Sequence, residues 1–516
     1  MNKVLKGLVA VAATAAMAVA GFAGASSAMA VEGHGDYDGA ILVDTGDAHT
    51  YSIYQIFTGT YGGDGSLGDV KAGNNFKEEN GAGSQGENLS AAEAAAEVAK
   101  LDKSAPDSDK LATINKFVDL TKGAYGEVSE DTPLSEVPAG YYLAKDKDAV
   151  TGDDAATLYI VKVVGNDEVT IYRKADKPTF EKKVQDVNDT KGTTTDWQDS
   201  ADYDVNDKVP FKLTATLPTD SDDFAAYKTY KLVFHDTQSA GLTFNEDIKV
   251  TYADKTVSPE YYKVETTGLT DGETFRVTIN DVKSVKDAEG NSINVVAGGI
   301  FNVEYTSTLN DKSVIGSKGN PNEAYLDYSN NPNVTGEGAP TGETPKDKVI
   351  VFTYQLNVNK TFDQGSPAEN DLPKFKLYKA YKHGDNTTWT QVGNEVTVTK
   401  TEDGKYTASF PRIDDGNYKL VETHTPAGYN TAADTEFTVT ADHDVESNNP
   451  QLISLKFNET AGDTNAGTVQ ANVVNKKGSN LPSTGGMGTV LLYVAGIAVF
   501  VLAGATLVMA LRRRNA

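Results

Sequence analysis

The strongest constraint on the fold is an alternation of apolar and polar residues that recurs along most of the chain. Short runs in which every second residue is apolar are typical of β-strands with one buried face. From residue 175 to residue 347, turn-forming residues separate such runs and no convincing helical pattern interrupts them. The same holds for residues 348–480. The sequence therefore predicts two consecutive all-β sandwiches, because turn-separated strands at this spacing pack as facing sheets.

Residues 31–174 carry a mixed pattern that predicts a first, mainly β domain with added helices. Residues 61–88 are rich in Gly, Asp and Asn and should form a loop. Ser90, with Glu93 three residues later, predicts the start of a helix that continues to about Leu101. A second helix is expected from Leu111 to Leu120, since its apolar residues share one helical face. The expected fold class is mainly β, with three sandwich domains in series.

Both ends of the chain carry signals for export and anchoring. Two lysines precede an apolar stretch from Leu8 to about Ala25, and Ala28-Met29-Ala30 fits a small-x-small cleavage site, so residues 1–30 are predicted to be a removed signal peptide. At the other end, an apolar run from about Thr489 to Leu511 could cross a membrane as one helix. Arginines at 512–514 should hold its C-terminal end in the cytoplasm. The pentapeptide Leu481-Pro482-Ser483-Thr484-Gly485 would then emerge just outside the membrane.

Composition excludes several functional classes. The formal net charge of −26 argues against a nucleic-acid partner. No His-Glu-x-x-His or nucleophile-elbow pattern is present, so a secreted enzyme is a weak hypothesis and no cofactor is expected. The acidic run Asp220-Ser221-Asp222-Asp223 could hold calcium but is more often a solvated turn, so no metal site is assigned. The chain also has no cysteine, so any covalent cross-link within an exported protein of this kind must come from other chemistry.

Strand alternation places three reactive side chains on apolar faces between residues 348 and 480. Lys360 shares a strand face with Leu356 and Val358. By the same phase Glu422 and Asn475 also point inward on later strands. A buried lysine or carboxyl group must be paired, neutralised or used, and burial lowers a lysine pKa and raises a carboxyl pKa. A neutral amine beside an amide, with an acid to move the proton, can form a Lys–Asn isopeptide bond and release ammonia.

The same analysis of the middle region selects Lys182, Asp236 and Asn322. Each of these residues lies on an apolar strand face, so an aspartate would take the part of the glutamate. Lys183 is the second choice for the amine, and Asn330 is the second choice for the amide.

These motifs resemble those of Gram-positive surface proteins assembled by sortases. The pentapeptide, apolar segment and basic tail resemble a cell-wall sorting signal, in which a sortase cysteine cuts between Thr484 and Gly485 and transfers the threonine to an amine. Residues 418–429 resemble the E-box of pilins, whose glutamate assists the isopeptide bond, here Glu422. Residues 473–476 resemble the closing strand of the collagen-adhesin B-type repeat, whose asparagine receives it, here Asn475. His235-Asp236-Thr237 resembles a D2-type domain of fimbrial backbone subunits. The resemblance implies immunoglobulin-like, collagen-adhesin-type sandwiches.

A lysine that could accept the transferred threonine lies at the end of the first domain. Residues 169–174, Val-Thr-Ile-Tyr-Arg-Lys, resemble the pilin motif, with Arg173 where proline is usual. The resemblance implies that Lys174 is the acceptor, with Lys177 as second choice. A donor threonine and a distant acceptor lysine generate a head-to-tail filament.

Two functional hypotheses follow from these signals. In the first, the chain is the backbone subunit of a sortase-assembled pilus. Its implied partners are a pilus-specific and a housekeeping sortase, copies of itself, minor tip or base pilins, peptidoglycan and a host receptor or glycan. In the second, it is a monomeric cell-wall-anchored adhesin that binds a host ligand.

Overall fold

The computed structural model describes residues 39–61, 67–100, 112–148, 160–164, 168–171, 176–269, 272–332 and 339–478. In these ranges the chain is mainly β, and its sheets face one another in pairs around separate apolar cores. The predicted fold class is therefore confirmed. None of the helices in the described ranges is long and apolar enough to cross a membrane. The predicted spanning run and the signal peptide both lie outside these residues.

The first sandwich has a three-stranded sheet, β5-β1-β8, and a sheet in the order β3-β2-β6-β7 with β4 paired to β2, counted over the described residues. Its strands are β1 (Gly39–Val43), β2 (Tyr51–Tyr61), β3 (Leu67–Ala72), β4 (Gly126–Val128), β5 (Leu134–Val137), β6 (Gly140–Asp146), β7 (Ile160–Val164) and β8 (Glu168–Ile171).

Helix α1 (Ala91–Ala99) begins where the sequence predicts. Ser90 accepts a hydrogen bond from Glu93 N while the Glu93 side chain accepts one from Ser90 N, the reciprocal pair of a capping box.

Two predictions for the first sandwich are wrong. The region 61–88 contains strand β3 because Leu67 is buried against β2, although its neighbours are Gly and Asp. The helix expected to reach Leu120 is helical only at 112–114 among its described residues. It ends there because Val118 pairs with Phe76 as a β-bridge and both side chains enter the core.

The middle sandwich packs a sheet ordered β17-β16-β20-β13-β9, with β15 paired to β20, against a sheet ordered β12-β23-β21-β14-β19-β18, with β22 paired to β21. Strands β10 and β11 pair only with each other, as a small separate hairpin. The strands are β9 (Thr179–Val184), β10 (Val187–Asn188), β11 (Thr193–Thr194), β12 (Ser200–Asp202), β13 (Lys208–Thr216), β14 (Leu232–Gln238), β15 (Leu242–Phe244), β16 (Lys249–Tyr252), β17 (Lys255–Thr256), β18 (Lys263–Glu265), β19 (Phe275–Ile279), β20 (Ile300–Leu309), β21 (Asn320–Ser329), β22 (Thr341–Glu343) and β23 (Asp347–Phe352).

The acidic run at 220–223 is not a simple solvated turn, and the expectation that the middle region lacks helices is also wrong. Ser221–Ala226 form a short helix, α2, and Pro259–Tyr261 and Val282–Ser284 form 3₁₀ turns. Helix α2 forms because Phe224 and Tyr227 bury their rings against Tyr230. Asp223 accepts a hydrogen bond from Asp176 N. Asp220 Oδ1 accepts a hydrogen bond from Asp223 N, so a carboxylate of this run caps the start of the helix.

The C-terminal sandwich packs a sheet ordered β27-β28-β24-β33 against a sheet ordered β26-β25-β29-β30-β31-β32. Its strands are β24 (Tyr354–Phe362), β25 (Lys374–His383), β26 (Asn386–Thr397), β27 (Thr399–Lys400), β28 (Tyr406–Ile413), β29 (Gly416–His424), β30 (Thr435–His443), β31 (Leu452–Phe457), β32 (Thr460–Ala461) and β33 (Thr468–Asn475).

The middle and C-terminal sandwiches are joined by two nearly continuous strands, β23 and β24. Strand β23 directs Val349 and Val351 into the middle core and Ile350 and Phe352 into the C-terminal core, and only Thr353 separates it from β24. The two backbones also approach closely at Gly316, where a Cβ would lie 2.5 Å from the carbonyl oxygen of Asn465. Only glycine fits there, because real Cβ atoms do not approach other atoms so closely.

Candidate functional site

The C-terminal sandwich brings its three predicted residues together. Strands β24 and β33 run parallel, with Phe362 opposite Asn475, so Lys360 and Asn475 lie on neighbouring strands of one sheet. Glu422 reaches the same point from β29 in the facing sheet. All three side chains are buried, because period-2 alternation turns them toward the core with their apolar neighbours.

Glu422 contacts the amide of Asn475 more closely than it contacts the lysine. Its Oε2 accepts a hydrogen bond from Asn475 Nδ2 at 2.9 Å, and its Oε1 lies 3.8 Å from Lys360 Nζ. Asn475 Nδ2 also donates to the carbonyl oxygen of Asn430 at 2.6 Å. Among the described residues, Lys360 Nζ makes no hydrogen bond. The amine therefore has a free lone pair whenever it is neutral.

Burial favours the neutral amine. Desolvation lowers the pKa of Lys360 to about 8, although the charge of Glu422 opposes the shift. The rings of Phe362 and Phe375 lie 5.4 and 5.9 Å from Nζ and exclude water from it. At pH 7 about a tenth of this lysine is therefore neutral, far more than for an exposed lysine, and this fraction can act as a nucleophile.

The middle sandwich also assembles its predicted residues, with a different arrangement of strands. Lys182 lies on β9 of one sheet, whereas Asp236 and Asn322 lie on the adjacent strands β14 and β21 of the facing sheet. Lys182 Nζ donates to Asp236 Oδ2 at 2.5 Å. Asn322 is reached through Tyr305 of β20, whose hydroxyl accepts from Asn322 Nδ2 at 2.9 Å and donates to Asp236 Oδ2 at 2.6 Å.

Burial determines the direction in which the pKa values of Lys182 and Asp236 shift in the middle sandwich. Lys182 has an exposed fraction of 0%, and desolvation lowers its pKa although the charge of Asp236 opposes the shift. Desolvation likewise raises the pKa of Asp236. Both shifts favour a neutral amine beside a neutral carboxylic acid, which is the protonation state that amide exchange needs.

The alternative residues for the centre in the middle sandwich, Lys183 and Asn330, lie outside it. Lys183 points to the opposite face of β9 and pairs with Asp199 at 2.7 Å, and the surrounding carboxylates outweigh its burial and raise its pKa. Asn330 is buried but lies eight residues beyond Asn322, which corresponds to about 26 Å along an extended strand. The contacts therefore favour Lys182 and Asn322 for this centre.

The analysis of the sequence did not identify two residues that take part in the buried polar contacts, Tyr305 and Lys379. Tyr305 has the inward phase of β20, but a tyrosine at a core position gives no signal of a polar role. Lys379 was detectable, because Phe375, Leu377 and Lys379 share the buried face of β25. It is a third fully buried lysine.

Lys379 is an ion-pair centre between the middle and C-terminal sandwiches. Its Nζ donates to Asp189 at 2.9 Å and to Asp204 at 2.8 Å, both in the middle region, and to Asp414 in the C-terminal sandwich. Burial alone would lower its pKa, but the three carboxylates outweigh burial and raise it. Lys379 therefore stays an ammonium ion, whereas burial lowers the pKa of Lys182 and Lys360 and so favours their neutral amines.

Three groups of side chains are close enough to hold a metal ion within the described ranges. They are His49 with Asp146 and Asp148, Asp186 with Asp202 and His443, and Asp189 with Asp204, Asp207 and Asp414. In the last group the ammonium of Lys379 already provides a positive charge. The run at 220–223 is not among these groups.

The residues predicted to link subunits lie outside the described ranges. These are Lys174 and the pentapeptide Leu481, Pro482, Ser483, Thr484 and Gly485. Lys177, the second choice, is partly buried, and its backbone N–H donates to the side chain of Asp176. Among the residues of the first sandwich whose burial is described, none of the lysines is buried.

Comparison with known proteins finds a matching family model and related surface proteins. The family model described as SpaA, a prealbumin-like fold domain, matches residues 356–451. The trypsin-resistant surface T6 protein of Streptococcus pyogenes is 24% identical over 405 residues, which cover 67% of this chain and 71% of that protein. The fimbrial subunit type 2 of Actinomyces naeslundii is 26% identical over 381 residues, 67% of this chain and 63% of that protein.

Solved structures give similar results. The T6 backbone pilin of Streptococcus pyogenes, described as a modular three-domain structure, has a TM-score of 0.49 and 18% identity, covering 86% of this chain and 100% of that one. The major pilin SpaD of Corynebacterium diphtheriae has a TM-score of 0.43 and 16% identity, covering 86% and 98%. Both of these solved proteins are described as pilins.

Proposed function

We propose that this chain, which carries a SpaA prealbumin-like domain and is related to a streptococcal surface protein and an Actinomyces fimbrial subunit, is the backbone subunit of a sortase-assembled pilus. The observation that carries the proposal is the pair of buried Lys–acid–Asn centres in consecutive sandwiches. Three reactive polar groups buried together are costly unless they are paired, neutralised or used, and amide exchange uses all three.

Each centre is proposed to form one intramolecular isopeptide bond. In the C-terminal sandwich, Lys360 Nζ attacks Cγ of Asn475 and forms the new N–C bond. Glu422 takes a proton from Nζ and returns it to Nδ2, to which its Oε2 already lies close, so that the Cγ–Nδ2 bond breaks and ammonia leaves. Lys182 and Asn322 react in the same way, with Asp236 moving the proton. No oxidant or cofactor is required.

Subunits are proposed to be joined by a second kind of amide bond, between lysine and threonine, that an enzyme forms. A pilus-specific sortase cleaves between Thr484 and Gly485 and holds the Thr484 carbonyl as a thioester. The Nζ of Lys174 on the next copy then attacks, which releases the enzyme cysteine. A housekeeping sortase would transfer the last subunit to peptidoglycan. The filament would carry minor tip or base pilins on the cell surface and support adhesion to a host receptor or glycan.

The test is the pattern of covalent polymers in boiled detergent extracts of cells. Wild-type chain should give a ladder of high-mass species. Lys174→Ala should leave monomers attached to the wall, and Thr484→Ala should abolish both the ladder and wall attachment. Lys177→Ala is the matched control and should keep the ladder.

The monomeric adhesin is the competing function, and it predicts a single species for wild type and Lys174→Ala alike. A wild-type extract without a ladder would therefore refute the pilus proposal. A ladder that persists in Lys174→Ala and disappears in Lys177→Ala would move the acceptor to Lys177.

A further inference from the structure

The last described residues of the chain are fixed to the surface of the C-terminal sandwich. Lys477 N donates to Asp363 Oδ1 at 2.8 Å, and Gly478 N donates to the carbonyl oxygen of Gly428 at 2.8 Å. The carbonyl oxygen of Lys476 accepts from Asn430 N at 2.8 Å. The tail beyond β33 is therefore held on both sides, by Asp363 and by the loop 424–431.

That loop is itself anchored. Asp371 accepts hydrogen bonds from Ala427 N and from the ring of His424, both at 2.7 Å, and these contacts lower its pKa and keep it ionised. Tyr429 donates to the carbonyl oxygen of Gln364 at 2.7 Å. Together, the segments 363–372 and 424–431 form what we call the tail clamp.

The chain between the clamp and the sorting pentapeptide is very short. Only residues 479 and 480 separate Gly478 from Leu481, so Leu481 Cα lies within about 11 Å of Gly478 Cα however the chain runs. Thr484 lies within about 21 Å of the same point. An enzyme that encloses the pentapeptide in a groove must therefore come into contact with the clamp.

We propose that the tail clamp is a docking surface for the sorting transpeptidase and that Asp363 is a positioning residue for the transfer of Thr484. This rests on the proposed function. The clamp holds Gly478, three residues before Leu481, and so limits the volume in which the enzyme must find the pentapeptide. The partner is the enzyme rather than the neighbouring subunit, because the pentapeptide must enter the enzyme before it reaches any acceptor.

The experiment measures sortase cleavage of the purified mature chain, from Val31 to its C-terminus, in detergent, with hydroxylamine as the acceptor so that Lys174 is not needed. Asp363→Ala removes the acceptor for Lys477 N, whereas Asp363→Asn keeps an oxygen in the same place. A third variant inserts Gly-Ser-Gly-Ser between Gly478 and Ser479. Asp385→Ala, an exposed aspartate at the opposite end of β25, is the matched control.

For Asp363→Ala we expect KM to rise about fivefold, the effect of one lost hydrogen bond, with kcat unchanged. Asp363→Asn and Asp385→Ala should behave like wild type. The insertion and a free peptide covering residues 479–487 should both show a raised KM, since neither holds the enzyme against the clamp. Each isopeptide bond releases one ammonia, so the wild-type chain should weigh less than its sequence predicts. All variants should show the same loss of mass, which excludes misfolding as the cause.

Equal KM values for wild type, Asp363→Ala and the insertion would overturn the docking surface while leaving the pilus proposal intact. A rise in KM for Asp363→Ala that Asp363→Asn does not rescue would overturn the positioning role of this residue. If wild-type chain is not cleaved after Thr484 at all, the proposed function itself fails.

Discussion

The two buried centres contain the same three kinds of side chain but arrange them in opposite ways. In the middle sandwich the acid contacts the amine at 2.5 Å and reaches the amide only through the hydroxyl of Tyr305. In the C-terminal sandwich the acid contacts the amide at 2.9 Å and lies 3.8 Å from the amine. The strand arrangement explains the difference, because Asp236 shares a sheet with Asn322, whereas Glu422 faces Lys360 and Asn475 from across the core.

The comparison shows which feature both centres require. The acidic side chain is an aspartate in one centre and the longer glutamate in the other. The lysine lies in the sheet facing the asparagine in one centre and in the same sheet in the other. Common to both is a buried lysine that meets a single carboxyl group and has its pKa lowered by desolvation. Lys379 is the contrasting case, since three carboxylates contact it and raise its pKa. The number of acids around a buried lysine therefore separates a nucleophile from a structural cation.

The largest expected effect comes from removing one acid at a time. Asp236→Ala and Glu422→Ala should each abolish one bond, so the intact-mass deficit of about 34 Da expected for wild type should fall to about 17 Da, one ammonia per bond. By analogy with a disulfide closing a loop of similar length, each loss should cost about 5 kcal/mol of unfolding free energy. Mass spectrometry measures the mass deficit, and thermal unfolding measures the loss of stability.

Lys183→Ala is the control for these variants, because it removes a neighbouring lysine outside the centre and should keep the full deficit. A wild-type chain of unmodified mass would show that neither centre reacts, and the comparison between them would lose its meaning.

The second expected effect concerns Lys379, the buried lysine that stays charged. Lys379→Met should leave the mass deficit at about 34 Da, because Lys379 forms no amide in this scheme. The substitution should nevertheless lower the free energy of unfolding by about 3–5 kcal/mol, since Asp189, Asp204 and Asp414 lose their buried cation. Limited proteolysis should detect loosening between the two sandwiches. A further deficit of about 18 Da in wild type, abolished by Lys379→Met, would show instead that Lys379 condenses with a carboxyl group.

The third effect tests the hydroxyl that only the middle centre uses. Tyr305→Phe should slow bond formation in the middle sandwich by about 10- to 100-fold, because Asp236 loses its relay to Asn322. Bond formation in the C-terminal sandwich should be unchanged. The rates can be followed by peptide mapping at intervals after refolding. Equal rates in the variant and wild type would mean that the acid reaches the amide without this hydroxyl.

The smallest effect is a pH dependence at the contact between the sandwiches. Burial, with the charges of Asp204 and Asp189, raises the pKa of Asp207 to about 7. The folded state therefore binds a proton more tightly than the unfolded state, and this group destabilises the folded state increasingly as pH rises from about 4 to 7. Asp207→Asn should raise the melting temperature at pH 8 and change it little at pH 4. An equal shift at both pH values would refute this assignment.

The parts of the fold and the candidate sites that follow strand alternation were predictable. Period 2 fixes which side chains enter a core, and this places Lys182, Lys360 and Asn475 correctly on inward faces. It does not say which strands become neighbours, so the mirrored arrangement of the two centres could not be derived. Asp189 and Asp204 lie outside the named strands, where no periodicity marks a buried carboxylate. Strand β3 was missed because its burial rests on Leu67 in a Gly-rich context.

The position of Asn322 has a mechanical consequence. With both proposed bonds in place, tension entering at the start of β9 passes from Lys182 to Asn322, and then must follow β21 and return along β23, where Val349 lies directly opposite Asn322. Shearing these two strands apart would release residues 323–348, about 90 Å of extended chain per subunit. The C-terminal sandwich has no such reserve, because Lys360 and Asn475 join neighbouring parallel strands. A stretched fibre of this protein should lengthen in its middle sandwiches and hold firm in the others.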